Sequence, residues 1–420
     1  MLIQLRFFIR KKVCIMISFM KSIRYLFRIG NGPSSSHTIG PYRICRYIKA
    51  KFPDAVHVCV TLYGSFALTG RGHGTDKTIT ETLKPLTSKI IFDYKTKTEH
   101  PNTLKADIHM ADGSVETITA VSPGGGSIRI NGETSAPEPE IYSEKNFDEI
   151  KAVCKANNWD LVEYVRQREG DEIFEYLDTV YDTMMDEVDR GLMTSGELPG
   201  KLHLQRRAKD FLVSKYAEES DTGNSFRLML AYAFAAAEEN AAGGIVVTAP
   251  TCGSCGVLPS VLKFYKSKYK KTRKDIINAL AVAGIVGNCI KYNASLSGAE
   301  AGCQAEIGSA CSMAAAAYAY LKKLDIHGIE CAAEVAMEHS LGLTCDPVGG
   351  YVMIPCIERN GMAAIRAVAA GRLAEYANAS STVSFDSVVQ TMYQTGKDMK
   401  KAYRETSKGG LAEELKKIKK

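Results

Sequence analysis

The chain has 420 residues, 45% of them hydrophobic and 24% charged. That length holds two or three domains with ample buried core, and the balance excludes a disordered or fibrous protein. The net charge of +6 gathers largely at the two ends and carries no nucleic-acid signal, and 12 cysteines in so long a chain do not make a disulfide scaffold.

Residues 1–19 are basic and apolar, but Arg6, Arg10, Lys11 and Lys12 break the apolar run. The stretch has neither a small-residue cleavage site nor an unbroken span of ~18 apolar residues. We expect a non-structural extension, with a presequence or a membrane-surface helix as the alternative. Met20-Lys-Ser-Ile-Arg24 reads as a fresh start. With no export signal, the cytoplasm is the default location and no membrane partner is implied. Thiols kept reduced there serve metal or structural roles.

Residues 20–135 mix short strands and helices and are expected to form an α/β domain. Val56 to Tyr63 is rich in β-branched residues and stops at Gly64, a strand pattern. Ile90 to Phe92, Val115 to Thr119 and Ile128 to Ile130 carry the same signal, and Asn131-Gly132 marks a turn. Three loops stand out. Asn31-Gly-Pro-Ser-Ser-Ser-His37-Thr-Ile-Gly-Pro41 offers hydroxyls and N–H groups that can hold a carboxylate or phosphate, and Pro41 can open a helix. His37 adds a group that titrates near neutrality. The bland alternative is an N-cap cluster beside a surface histidine. Leu68 to Lys77 sets glycines around His73 and Asp76. Ser122-Pro-Gly-Gly-Gly-Ser127 lets backbone approach an anion closely.

Ala136-Pro-Glu-Pro-Glu140 cannot build core, so 136–145 is expected to be a linker. From 146 to 405 the pattern is helical. Charge alternates first, with Ile150, Val153 and Cys154 at helical spacing, and the chain is Ala-rich from Phe226 onward. Ile245 to Thr248 is the one strand-like run there. Residues 406–420 end Lys416-Lys-Ile-Lys-Lys420 and are expected to be a solvated basic tail.

Cys252-Gly-Ser-Cys255 invites a redox or zinc reading. It lies in a helical half rather than a thioredoxin-like context, and His327 and His339 do not form a second ligand pair. Asn293-Ala-Ser295-Leu-Ser297-Gly-Ala-Glu300 offers an amide, hydroxyls and a carboxylate that could line a site. Cys311 follows Cys303 by eight residues, roughly 80° around a helix, and sits among alanines as core. Cys303, Cys345 and Cys356 differ, because turn-forming, small or polar residues flank each. Three thiolates can hold a cubane iron–sulfur cluster and leave one iron open as a Lewis acid, whereas four would close it.

Gly32-Pro-Ser-Ser-Ser-His37-Thr-x-Gly-Pro41, Gly72-His-Gly-Thr-Asp76, Ala249-Pro-Thr251, Asn293 through Cys303-Gln, Cys345-Asp-Pro-Val-x-Gly350 and Pro355-Cys-Ile-Glu-Arg-Asn360 together resemble the iron–sulfur L-serine dehydratases. The resemblance runs from Met20 to about Ser380. It implies an α+β protein: an N-terminal α/β domain joined to an all-helical cluster domain, usually as a homodimer. It also implies that Cys303, Cys345 and Cys356 hold one [4Fe–4S] cluster and that His37 lies at the active site. Cys252 stands where many members have Asn. Some single-chain members end in a cysteine that caps the fourth iron; no cysteine follows Cys356, so that iron is expected to carry water or hydroxide.

The expected reaction is deamination of L-serine to pyruvate and ammonia, with His37 in acid–base chemistry. Ser35, Ser36, Thr38, Ser122, Gly124, Gly125, Asn293 and Ser295 are the expected substrate contacts. Threonine or a hydroxy acid is the alternative substrate, and a non-catalytic oxygen-sensing iron–sulfur protein the alternative class. Pyridoxal phosphate is disfavoured, since Lys291 has no recognisable Schiff-base context.

Overall fold

The computed structural model describes residues 19–134, 138–214, 218–377 and 382–418. The expected extension, 1–19, lies outside them except for Phe19. Among the described residues ten strands occur: β1 Met20–Lys21, β2 Ile29–Asn31, β3 Ala55–Tyr63, β4 Thr87–Asp93, β5 Thr103–Met110, β6 Val115–Gly124, β7 Ser127–Ile130, β8 Glu133–Thr134, β9 Glu140–Tyr142 and β10 Ile245–Val247. Six of them form one sheet in the order β4-β3-β5-β6-β7-β8. Only β3 and β4 run parallel; the other pairs are antiparallel.

Alternation decides which face of this sheet is covered. Val58, Val60 and Leu62 point one way from β3, as a period of two requires, and all are buried. They pack under the helices Gly40–Lys51 and Thr75–Leu83, which contribute Ile44, Cys45, Ile48, Ile79 and Leu83. Pro41 opens the first helix, as its fixed φ favours.

The rest is helical, as expected for an α+β protein. Its centre is the helix Arg273–Asn293, closed at its start by a capping box of Thr272 and Asp275. It is the one described helix long and apolar enough to cross a membrane, yet 78% of that stretch is buried inside the fold, as a core helix is. The Ala-rich helix Ser309–Leu321 packs against it, the small side chains allowing close approach.

Three sequence expectations change. Met20, Ile23, Leu26 and Phe27 are buried in the helical core rather than in the sheet domain. The expected linker carries β9, which pairs with β1 and buries Tyr142 in that same core. β2 likewise pairs with β10. From Met20 the described chain therefore starts on the helical half, crosses to the sheet, and returns. The expected solvated tail also packs: Ser407 donates to the Pro347 carbonyl at 2.6 Å, the Leu411 N–H donates to Asp346 at 2.8 Å, and Ala412 is buried. Residues 419–420 lie outside the described residues.

Candidate active site

The serine loop is a π-helical turn, Ser35–Ile39, that runs directly into the helix at Gly40. Several of its hydroxyls are occupied in closing that turn. Ser34 Oγ accepts from the His37 N–H at 3.2 Å, and the Ser34 N–H donates to Thr38 Oγ1 at 2.9 Å. Ser35, Ser36, His37 and Thr38 are all buried. His37 is thus not a surface group.

Its ring is held on both nitrogens. Ser36 Oγ lies 3.0 Å from Nδ1, while Ser65 Oγ and Thr69 Oγ1 lie 3.3 and 3.1 Å from Nε2. The His73 ring is 4.4 Å away, and Glu405 Oε1 is 3.7 Å from His37 Nδ1 and 4.0 Å from His73 Nε2. Burial pushes the His37 pKa down to about 3, so the expectation of titration near neutrality is corrected: the imidazole is neutral at pH 7. Burial, reinforced by His37, holds His73 well below its ordinary value. Its Nδ1 has no hydrogen-bond partner among the described residues.

The three cysteines come from separate segments. Cys303 precedes the π-turn Gln304–Gly308, Cys345 sits in the loop after the helix Ile326–Glu338, and Cys356 opens the helix Cys356–Tyr376. All three line one cavity with His73, Glu306 and Glu405. Cys303 and Cys345 are buried, and Cys356 is half-buried. A hydrogen bond that the Cys345 thiol donates to Cys303, then burial, raises Cys345 well above its ordinary pKa; burial and then Cys303 do the same to Cys356. Glu306 is pushed up to about 7 by burial, against Thr251 and Arg359. The Arg359 guanidinium lies beside Cys303 and Cys356 and donates to the Thr344 carbonyl at 2.6 Å.

That donor set fits an iron–sulfur cluster. Buried thiols of raised pKa, as at Cys345 and Cys356, are stabilised as thiolates when a cation joins them. The space is also kept open by Gly298: a Cβ there would lie 3.0 Å from Cys345 Sγ and 2.8 Å from Glu306 Oε2. Cys252 and Cys255 are buried thiols outside that lining, and burial raises both pKa values. That is the opposite of a reactive pair.

The other expected contacts fall elsewhere. Asn293 donates its amide to the carbonyls of Lys145 and Cys289, which ends its helix. Gly124 and Ser295 line a second cavity with His100, Arg129, Glu138 and Lys291, and the Gly125 carbonyl accepts from Arg28. The Ser122 hydroxyl is buried without a partner among the described residues. Sequence reasoning missed Glu306 and Glu405, and it left His73 without a role. The glycine-punctuated loop was a usable signal for His73. Glu405 had none, because its approach to Cys345 is a long-range pairing.

Two family models cover most of this architecture. Serine dehydratase beta chain matches residues 22–87, and serine dehydratase alpha chain matches 90–412. The chain belongs to the serine dehydratase family. The boundary between the two matches falls inside the sheet, after the first residue of β4. The chain is 39% identical to L-serine dehydratase 1 of Escherichia coli (strain K12), over 94% of this chain and 99% of the relative. It is also 39% identical to L-serine dehydratase of Streptomyces coelicolor, over 93% and 98%. L-serine dehydratase of Helicobacter pylori (strain 26695) gives 39%, over 94% and 99%.

Proposed function

We propose that the chain deaminates L-serine to pyruvate and ammonia in the cysteine-lined cavity, with Cys303, Cys345 and Cys356 as ligands of one [4Fe–4S] cluster. The observation that carries this is the convergence of those cysteines with His73 and Glu405 on one cavity, with His37 directly behind them. The cluster, when bound, supplies Lewis acidity that makes the β-hydroxyl easier to expel.

The chain's own residues then account for the proton. Nε2 of His37 faces two hydroxyls at 3.1 and 3.3 Å, so an N–H there donates to Thr69 or Ser65 and leaves Nδ1 unprotonated, accepting from Ser36 Oγ at 3.0 Å. Nδ1 faces Glu405, which lines the cavity, and is the atom that takes the α-proton. The neutral state of His37 keeps that nitrogen unprotonated, and the Ser36 hydroxyl turns away from it as it takes the proton. Burial of the serine loop excludes water from the proton transfer. The resulting aminoacrylate hydrolyses to pyruvate and ammonia. The family resemblance supports a homodimer located in the cytoplasm.

The test is anaerobic reconstitution with iron and sulfide, followed by pyruvate formation from L-serine and 2-oxobutanoate formation from L-threonine. Turnover with L-serine is expected. No pyruvate from fully loaded protein would overturn the proposal.

A further inference from the structure

Glu405 follows the last long helix, in a stretch whose local sequence has no marked periodicity. Three observations single it out. Its backbone N–H donates to the Cys345 carbonyl at 2.8 Å, and the Cys345 N–H donates to the Tyr403 carbonyl at 2.8 Å, which makes a parallel bridge. Its own carbonyl accepts from Ser65 Oγ at 3.0 Å, and Ser65 is one of the two hydroxyls on His37 Nε2. Its carboxyl faces both imidazoles, 3.7 Å from His37 Nδ1 and 4.0 Å from His73 Nε2. Glu405 also adopts φ 55°, which a non-glycine residue holds only where its surroundings fix it.

One residue thus touches the cysteine loop with its main chain and both imidazoles with its side chain. The imidazoles belong to the sheet half and Cys345 to the helical half. Two imidazoles and a carboxylate can also bind a metal ion, but both His37 nitrogens already have hydroxyl partners.

We propose that Glu405 is a positioning residue, which holds the His37 and His73 rings in register with Cys345 so that Nδ1 of His37 meets the substrate's α-proton. This rests on His37 as the proton acceptor. A displaced base costs rate without weakening substrate binding; a shift of ~1 Å is worth ~10²-fold.

The test compares Glu405→Gln and Glu405→Ala with wild type and His37→Ala, all reconstituted anaerobically. Iron and sulfide content, melting temperature, kcat, KM and the α-deuterium isotope effect on kcat are measured. Glu405→Ala should keep its iron and lose kcat by ~10-fold or more at nearly constant KM, with a larger isotope effect, because proton abstraction becomes slower relative to other steps. Glu405→Gln, which keeps the shape and one acceptor, should lose less. A smaller active fraction alone would leave the isotope effect unchanged. Wild-type kcat and isotope effect in both Glu405 variants, with His37→Ala inactive, would overturn the positioning role alone. Loss of iron from both Glu405 variants would overturn it in favour of support for Cys345. Full turnover in His37→Ala would overturn the acid–base reading itself.

Discussion

The Glu405 N–H meets the Cys345 carbonyl at 2.8 Å, so a segment close to the C-terminus is part of the wall that shapes the cysteine loop. Ser407 and Leu411 extend this attachment to Pro347 and Asp346. Removing residues 401–420 should therefore sharply reduce iron loading although all three cysteines remain. Iron and sulfide analysis after anaerobic reconstitution checks this. Full loading of the shortened protein would show that the cysteine loop keeps its shape unaided.

Among the cysteines, Ala substitution of Cys303, Cys345 or Cys356 should abolish cluster binding. Cys311→Ala should retain it, because Cys311 is buried on the Ala-rich helix, with its thiol against the Ala363 carbonyl. Visible absorption and iron content of the four variants separate the two outcomes. A fully loaded Cys345→Ala protein would refute the ligand assignment.

The pH dependence of stability follows from the imidazoles. The folded pKa of His37, about 3, lies below the ordinary 6.5, and His73 is shifted the same way. Between those values the unfolded chain binds protons that the folded chain excludes. Stability from this source is complete above pH 6.5 and is lost as pH falls toward 3, at up to ~1.4 kcal/mol per pH unit for each histidine. Melting temperature should therefore fall from pH 7 to 5, and less steeply in His37→Gln. Parallel curves for the two proteins would show that His37 is not buried neutral.

Gly72 brings the His73 loop against the cysteine loop. A Cβ at Gly72 would lie 2.4 Å from the Gly350 carbonyl oxygen, a backbone atom that cannot rotate away. Gly72→Ala should cost ~1–3 kcal/mol of stability, the usual scale for overpacking. It should lower kcat more than it lowers iron content, since no cysteine is moved directly. A variant with wild-type kcat and melting temperature would contradict this close approach.

Local sequence carried much of this, and its failures share one physical cause. β-branched alternation marked β3, alanine content marked the helical core, and flanking turn residues marked out Cys303, Cys345 and Cys356, which line one cavity. Each of these is a short-range pattern. Met20 to Phe27 packs into the helical core, which its apolar spacing could not indicate because spacing does not say which core a segment enters. Residues 406–412 read as solvent-facing, since the hydrogen bonds of Ser407 and Leu411 to a distant loop leave no trace in charge or periodicity. Asn293 and Ser295 looked like site groups by composition, yet Asn293 ends a helix and Ser295 bonds to Glu300. Polar side chains serve backbone groups as readily as ligands.

The central claim is that a cluster held by three thiolates performs the chemistry. Its most direct test follows activity in air and under iron chelation, alongside the electron paramagnetic resonance signal of a three-iron cluster. We predict that reconstituted protein loses turnover in air as that signal grows. Bound serine should slow the loss, and iron with reductant should restore activity without any change in the polypeptide. Turnover that survives both prolonged air exposure and complete removal of iron would contradict the account.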